Sequence, residues 1–254
     1  MSPNDPIDPT TASSPVEIRG GVELPARRTD VELHTDDGLA LVGELALPLD
    51  RPPVATLVTL HPLPTAGGFM DSHVLRKAAG RLPALADVAV LRFNFRGVSS
   101  PRGRSEGGFG EGVAEAADLR AAVDFVREQG LPTPWLVGWS FGTEVALMHG
   151  RDVDVAGLVL LSPPLHRASE ADLLAWNDVD VPVVAVVPEL DDYLRPEEAR
   201  RRFAVVPRLE VVAVEGGKHL WVGEKQTTRV LSEIVARVAP TALPLPTTWP
   251  PTAS

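Results

Sequence analysis

Three residues of this 254-residue chain have the types and the order needed for acyl transfer: Ser140, Asp191 and His219. Ser140 is the centre of Gly138-Trp139-Ser140-Phe141-Gly142, a G-x-S-x-G pentapeptide. A serine hydroxyl is a poor nucleophile at its own pKa and needs an imidazole to take its proton. The imidazole in turn needs a carboxylate to fix its tautomer and stabilise the imidazolium. His219 is the one histidine downstream of Asp191, so a triad built on Asp191 uses it. Asp191 lies in Pro188-Glu189-Leu190-Asp191-Asp192, where Glu189 and Asp192 are alternative carboxylates. The oxyanion of an acyl-transfer intermediate needs two donors. One is expected to be the Phe141 backbone N–H, at the helix start after the serine. The other comes from His61-Pro62-Leu63-Pro64, where neither proline has an N–H and Leu63 is left as the donor. Alone, the pentapeptide also fits a Gly-flanked turn with an idle serine. Three such residues in this order are far less common by chance than any one of them.

These residues need elements to hold them. Trp135 to Trp139 reads as a short apolar strand, and Val145, Leu147 and Met148 as the helix after it. A serine on so sharp a strand-to-helix turn is lifted clear of the sheet. Apolar runs at Val54–Leu60, Val88–Phe95, Val155–Leu161, Val181–Val187 and Leu209–Val214 read as further strands. Helical spacing appears over His73–Leu85, Val113–Gln129, Glu197–Phe203 and Thr228–Val238. Alternating runs on either side of Asp36-Asp37-Gly38 signal a hairpin. The result is an α/β protein: a mostly parallel sheet of about eight strands with helices on both faces. In such sheets the site lies at the carboxyl ends of the strands, where Ser140, Asp191 and His219 all fall. Residues 1–25, rich in Pro, Ser, Thr and Asp, read as a disordered arm, 26–239 as the domain, and 240–254 as a Pro-rich tail. Leu243, Leu245 and Trp249 in the tail are able to dock on the body.

Composition narrows the class. A formal net charge of -10 argues against nucleic acid or an anionic membrane as partner. With no cysteine, thiolate chemistry is excluded. No G-x-x-x-x-G-K-[ST] or G-x-G-x-x-G pattern appears, so no nucleotide cofactor is expected, and no spacing suggests a metal. MSPNDPIDPTTASSP has neither a basic start nor an apolar run, and no stretch reaches the roughly 18 apolar residues of a membrane span, so the default location is cytoplasmic.

His61-Pro62-Leu63-Pro64 with Gly67-Gly68, Arg92-Phe93-Asn94-Phe95-Arg96-Gly97, and Gly138 to Gly142 together resemble the α/β-hydrolase superfamily, in particular its small lidless bacterial members. The resemblance extends over about Val31–Val238. It implies an acyl-enzyme mechanism with Ser140, His219 and Asp191 in the roles given above, and an esterase, thioesterase, amidase or peptidase activity without cofactor. There are departures: His61-Pro62 replaces the usual His-Gly, Pro188 replaces a common glycine three residues before the acid, and Ser99–Arg104 lengthen a loop near the site mouth. Only 19 residues separate Leu161 from Val181, too few for a helical cap. The expected partner is therefore a small-molecule acyl substrate reaching an open site. His61, Phe69, Met70 and Trp221 are candidate substrate contacts, with His61 more suited to orienting its loop. Arg96, Arg102 and Arg104 either pair with an anionic substrate group or form a solvated loop face. A non-catalytic binding protein on the same fold and an acyltransferase on the same triad are the alternatives.

Overall fold

A computed structural model describes residues 15–250. Eight strands form the central sheet: β1 (Arg27–His34), β2 (Ala40–Leu47), β3 (Ala55–Leu60), β4 (Val88–Phe93), β5 (Pro134–Trp139), β6 (Gly157–Leu161), β7 (Val183–Pro188) and β8 (Glu210–Val214). Their spatial order is β8-β7-β6-β5-β3-β4-β2-β1. β1 and β2 form the expected antiparallel hairpin, β2 runs antiparallel to β4, and the remaining pairs are parallel. The apolar runs become the central strands because both faces are covered: every residue of β3, β4, β6 and β7 is buried.

The helices sit where the periodicity predicts them. α1 (His73–Ala86) and α6 (Glu224–Val238) bury Val74, Ala78, Leu82, Val230 and Ile234 against one face of the sheet. α2 (Glu115–Glu128), α3 (Phe141–His149) and α5 (Pro196–Phe203) bury Leu119, Val123, Val145, Leu147 and Phe203 on the other. The sheet is thus sealed on both sides, and its strand-end loops are left to form the site. Among the described residues, no helix is long and apolar enough to cross a membrane.

The arm expected to run to residue 25 is held down from Val16 onward. Val16–Glu17 pairs with Thr248–Trp249, Ile18 and Leu24 are buried, and the Leu24 N–H reaches the Gly80 carbonyl at 2.8 Å. Low apolar content hid this because the arm needs only two buried side chains and a second strand supplied by the far end of the chain. Residues 1–14 lie outside the described range. In the tail, Leu243 and Leu245 pack against the α1–α6 core, as docking requires.

The connection between β6 and β7 holds a short α4 (Glu170–Leu174) that periodicity does not reveal. It is fastened to α3 rather than arched over the sheet ends. The buried Glu144 carboxylate accepts the N–H groups of His166, Arg167 and Ala168 at 2.7, 3.0 and 2.6 Å. The Trp176 indole N–H donates to the Leu147 carbonyl at 2.9 Å.

Candidate active site

The turn at Ser140 is forced by crowding. The chain leaves β5, reverses within one residue, and starts α3, with Ser140 at φ 51° and ψ -114°. A Cβ at Gly138 would overlap the Gly142 carbonyl group, and one at Gly142 would overlap the carbonyl of Leu60 at the end of β3. Glycine at both positions lets the helix start press against β3, which brings Phe141 beside the loop that begins at His61. A positive φ on a serine costs energy and is kept only where its surroundings impose it.

Loops after β7 and β8 complete the arrangement. His219 Nε2 lies 2.9 Å from Ser140 Oγ, and its Nδ1 lies 3.0 Å from Asp191 Oδ2. The carboxylate only accepts, so Nδ1 carries the proton and Nε2 is free to take the serine's. Asp191 is buried and fixed by the N–H groups of Tyr193 and Leu194, which its Oδ1 accepts at 2.8 and 3.3 Å. The two alternative carboxylates are placed elsewhere: Asp192 is exposed, and Glu189 is exposed and accepts the Gly216 N–H at 2.8 Å. Pro188 causes no disruption, since it ends β7 in register with Val214.

Residues that sequence reasoning passed over fix the His219 main chain. The Trp139 indole N–H and the Ser162 hydroxyl both donate to the His219 carbonyl, each at 3.1 Å. Both residues end strands, Trp139 just before Ser140 and Ser162 just after β6. That position was the one available signal. Tyr193, largely exposed, lays its ring 4.6 Å from the His219 ring.

The N–H groups of Leu63 and Phe141 have no acceptor among the described residues, as an oxyanion site requires. His61 orients the loop that carries Leu63. It is fully buried, with Nδ1 2.7 Å from the Pro62 carbonyl and Nε2 accepting the Phe95 N–H at 3.1 Å. Burial pushes its imidazole down to about 4, so it is neutral at pH 7, with both ring nitrogens engaged.

Three of the four candidate substrate contacts need correction. His61, Met70 and Trp221 have no exposed surface, so none offers a face to a ligand. Trp221 turns inward at φ 50° and packs against Gly217, and Met70 is tied through its N–H to Asn94 Oδ1 at 2.9 Å. Phe69 is half-buried on the wall of a 280 Å³ cleft between the His61 loop and the loop after β4, opposite Val98 and Phe109. Phe109 packs on Phe141 with ring centroids 5.5 Å apart.

The arginines are also committed. Arg96 is buried, with Nε 2.9 Å from Asp118 Oδ1 and NH1 2.8 Å from Asp37 Oδ2. Arg102 pairs with Asp30 and, at 2.5 Å, with Glu44. Of these three arginines, Arg104 alone is exposed without an ion pair among the described residues. The lengthened loop forms a small ribbon, Ser99–Ser100 against Gly103–Arg104, and then runs along β2, where the Ser105 hydroxyl accepts the Val42 N–H at 3.0 Å.

The alpha/beta hydrolase domain family matches residues 55–244. The chain belongs to that family. Among solved structures it is similar to a lidless α/β serine hydrolase from Xanthomonas campestris, with 27% identity and a TM-score of 0.69 over 86% of this chain and 98% of that one. A serine hydrolase homologue from Coxiella burnetii is 25% identical, with a TM-score of 0.71 over 83% and 97% of the two chains. An esterase from Pyrococcus furiosus, at 19% identity and a TM-score of 0.65 over 84% and 94%, shares the fold. A curated relative, an uncharacterised protein of Rickettsia prowazekii, is 32% identical over 148 residues, which span 56% of this chain and 59% of that protein.

Proposed function

We propose that this family member is a serine hydrolase that cleaves a small ester, thioester or activated amide through an acyl-enzyme on Ser140. The observation that carries the reading is the continuous hydrogen-bond path from Ser140 Oγ through both nitrogens of His219 to Asp191. His219 Nε2 takes the hydroxyl proton as Oγ attacks the carbonyl carbon. The resulting oxyanion accepts from the Leu63 and Phe141 N–H groups, and Asp191 stabilises the imidazolium. His219 then returns the proton to the leaving group as the C–O, C–S or C–N bond breaks. Water, deprotonated by His219, attacks the acyl-enzyme, and the carboxylic acid leaves as the proton goes back to Ser140. The cleft walled by Phe69 and Phe109 is the room this reading gives the acyl group. The similarity to the Xanthomonas and Coxiella proteins supports the same class.

The test is labelling with a fluorophosphonate probe beside Ser140→Ala. The parent is expected to label and the variant to lose both labelling and turnover. A folded parent that does not label would mean that Ser140 is not an activated nucleophile and would favour a ligand-binding role for the fold.

A further inference from the structure

We infer that His73 is a positioning residue for His219: from the first position of α1 it holds the backbone just beyond the histidine and braces the residue before Ser140. The inference rests on the serine hydrolase reading. His73 Nε2 lies 2.7 Å from the Leu220 carbonyl oxygen, and Leu220 directly follows His219. A carbonyl only accepts, so Nε2 carries the proton and the imidazole is the donor. The same ring meets the Trp139 indole edge-on, with centroids 5.3 Å apart. Trp139 precedes Ser140 and donates to the His219 carbonyl. The carbonyls of His219 and Leu220 are thereby held in succession, one by Trp139 and Ser162, the other by His73.

Such a hold matters because of where His219 hangs. Leu220 and Val222 are exposed, so apart from the buried Trp221 side chain between them the segment just after His219 has little apolar packing, and the Leu220 carbonyl is held through His73. His73 also stands directly after the turn in which the Phe69 N–H donates to Ser72 Oγ at 3.2 Å, at the end of the segment that carries Leu63. Its side chain thus ties the strand before the nucleophile to the histidine loop, from the start of the helix that follows the oxyanion segment. Its half-buried place lowers its basicity from the ordinary imidazole value. A deprotonated His73 remains the donor here, because the neutral ring keeps one N–H.

The experiment compares parent, His73→Phe, which keeps an aromatic edge on Trp139 but loses the donor, and His73→Gln, whose amide restores an N–H. Losing one positioning hydrogen bond is expected to lower the fluorophosphonate labelling rate and kcat of His73→Phe by about tenfold with KM little changed, and Gln is expected to recover most of it. Circular dichroism checks that each variant is folded, and His73→Ala replaces His73→Phe in the comparison should the latter not fold. A labelling parent whose donor-less variant reacts at the parental rate, or whose loss Gln does not repair, overturns the positioning role alone. A parent that does not label removes the hydrolase reading and this inference with it.

Discussion

Two buried polar groupings lie near the strand ends, and they are finished in different ways. Around β2 and β4, Arg92 pairs with Glu44 and Asp71, and Arg96 with Asp118 and Asp37. Every charge there has an opposite charge in contact. At the carboxyl ends of β5, β7 and β8, Asp191 and His219 are just as buried, but the row ends on a half-buried serine hydroxyl facing two N–H donors without acceptors among the described residues. A buried ion pair with all partners present fixes an arrangement and has nothing left to offer a ligand. An incompletely satisfied set of donors beside a nucleophile is what a substrate completes. Arg96, although it lines the cleft beside Phe69, is therefore already engaged by two carboxylates, whereas Arg104 is not.

After Ser140 itself, the largest change that separates the two groupings is Asp191→Asn. It is expected to lower kcat by roughly 10⁴-fold, through loss of the correct His219 tautomer, with the fold intact. Asp192→Asn, measured in the same ester assay, is expected to stay within about twofold of the parent, as exposed substitutions usually do. Arg92→Met should have the opposite signature. It leaves Asp71 facing an apolar chain and Glu44 with Arg102 alone, and is expected to cost about 3 kcal/mol in urea unfolding, while kcat per folded molecule is unchanged. A fall in kcat without a loss of stability would put Arg92 in the wrong grouping.

The smallest effect concerns acid. The Arg96 guanidinium beside Asp37, helped by Thr35, lowers its carboxyl from 3.8 to about 2. A depressed folded-state pKa contributes stability that is present above the unfolded value and lost as the pH falls through the folded one. The window is therefore about pH 4 down to about 2. Asp37 is nearly half exposed, so solvent screens the contribution. Asp37→Asn is expected to flatten the acid limb of the unfolding midpoint across that window, without changing activity at neutral pH.

The sequence was most readable where one physical signal dominates. Buried parallel strands are continuous apolar runs, so β3 to β8 stand out, and the loops after β5, β7 and β8 could be searched for reactive types. Distance from the strand end and the family resemblance favour Asp191 over Asp192 and Glu189, and the loop geometry shows that it is the carboxylate that meets Nδ1. Side-chain direction was less readable. Met70 and Trp221 sit in site loops by sequence, yet both turn into the core, and nothing in local composition distinguishes an aromatic facing in from one facing out. Partners distant in sequence were hidden for the same reason: Arg96 bonds Asp37, 59 residues earlier, and Val16 pairs with Trp249. Glu144 reads as an ordinary helix residue until the three N–H groups it accepts are seen together.

One asymmetry of the sheet has a consequence for how the site fails. Ser140 leaves β5, which has a neighbour on either side, whereas His219 leaves β8, a partly exposed strand with β7 alone beside it. Amide exchange and partial unfolding begin at such margins, where few contacts must break. On the proposed mechanism the nucleophile is thus carried by a strand paired on both sides, and its base by the loop after a strand paired on one. Mild denaturant would silence the enzyme by detaching the histidine while the centre of the sheet still gives a native signal, so loss of activity would precede loss of fold.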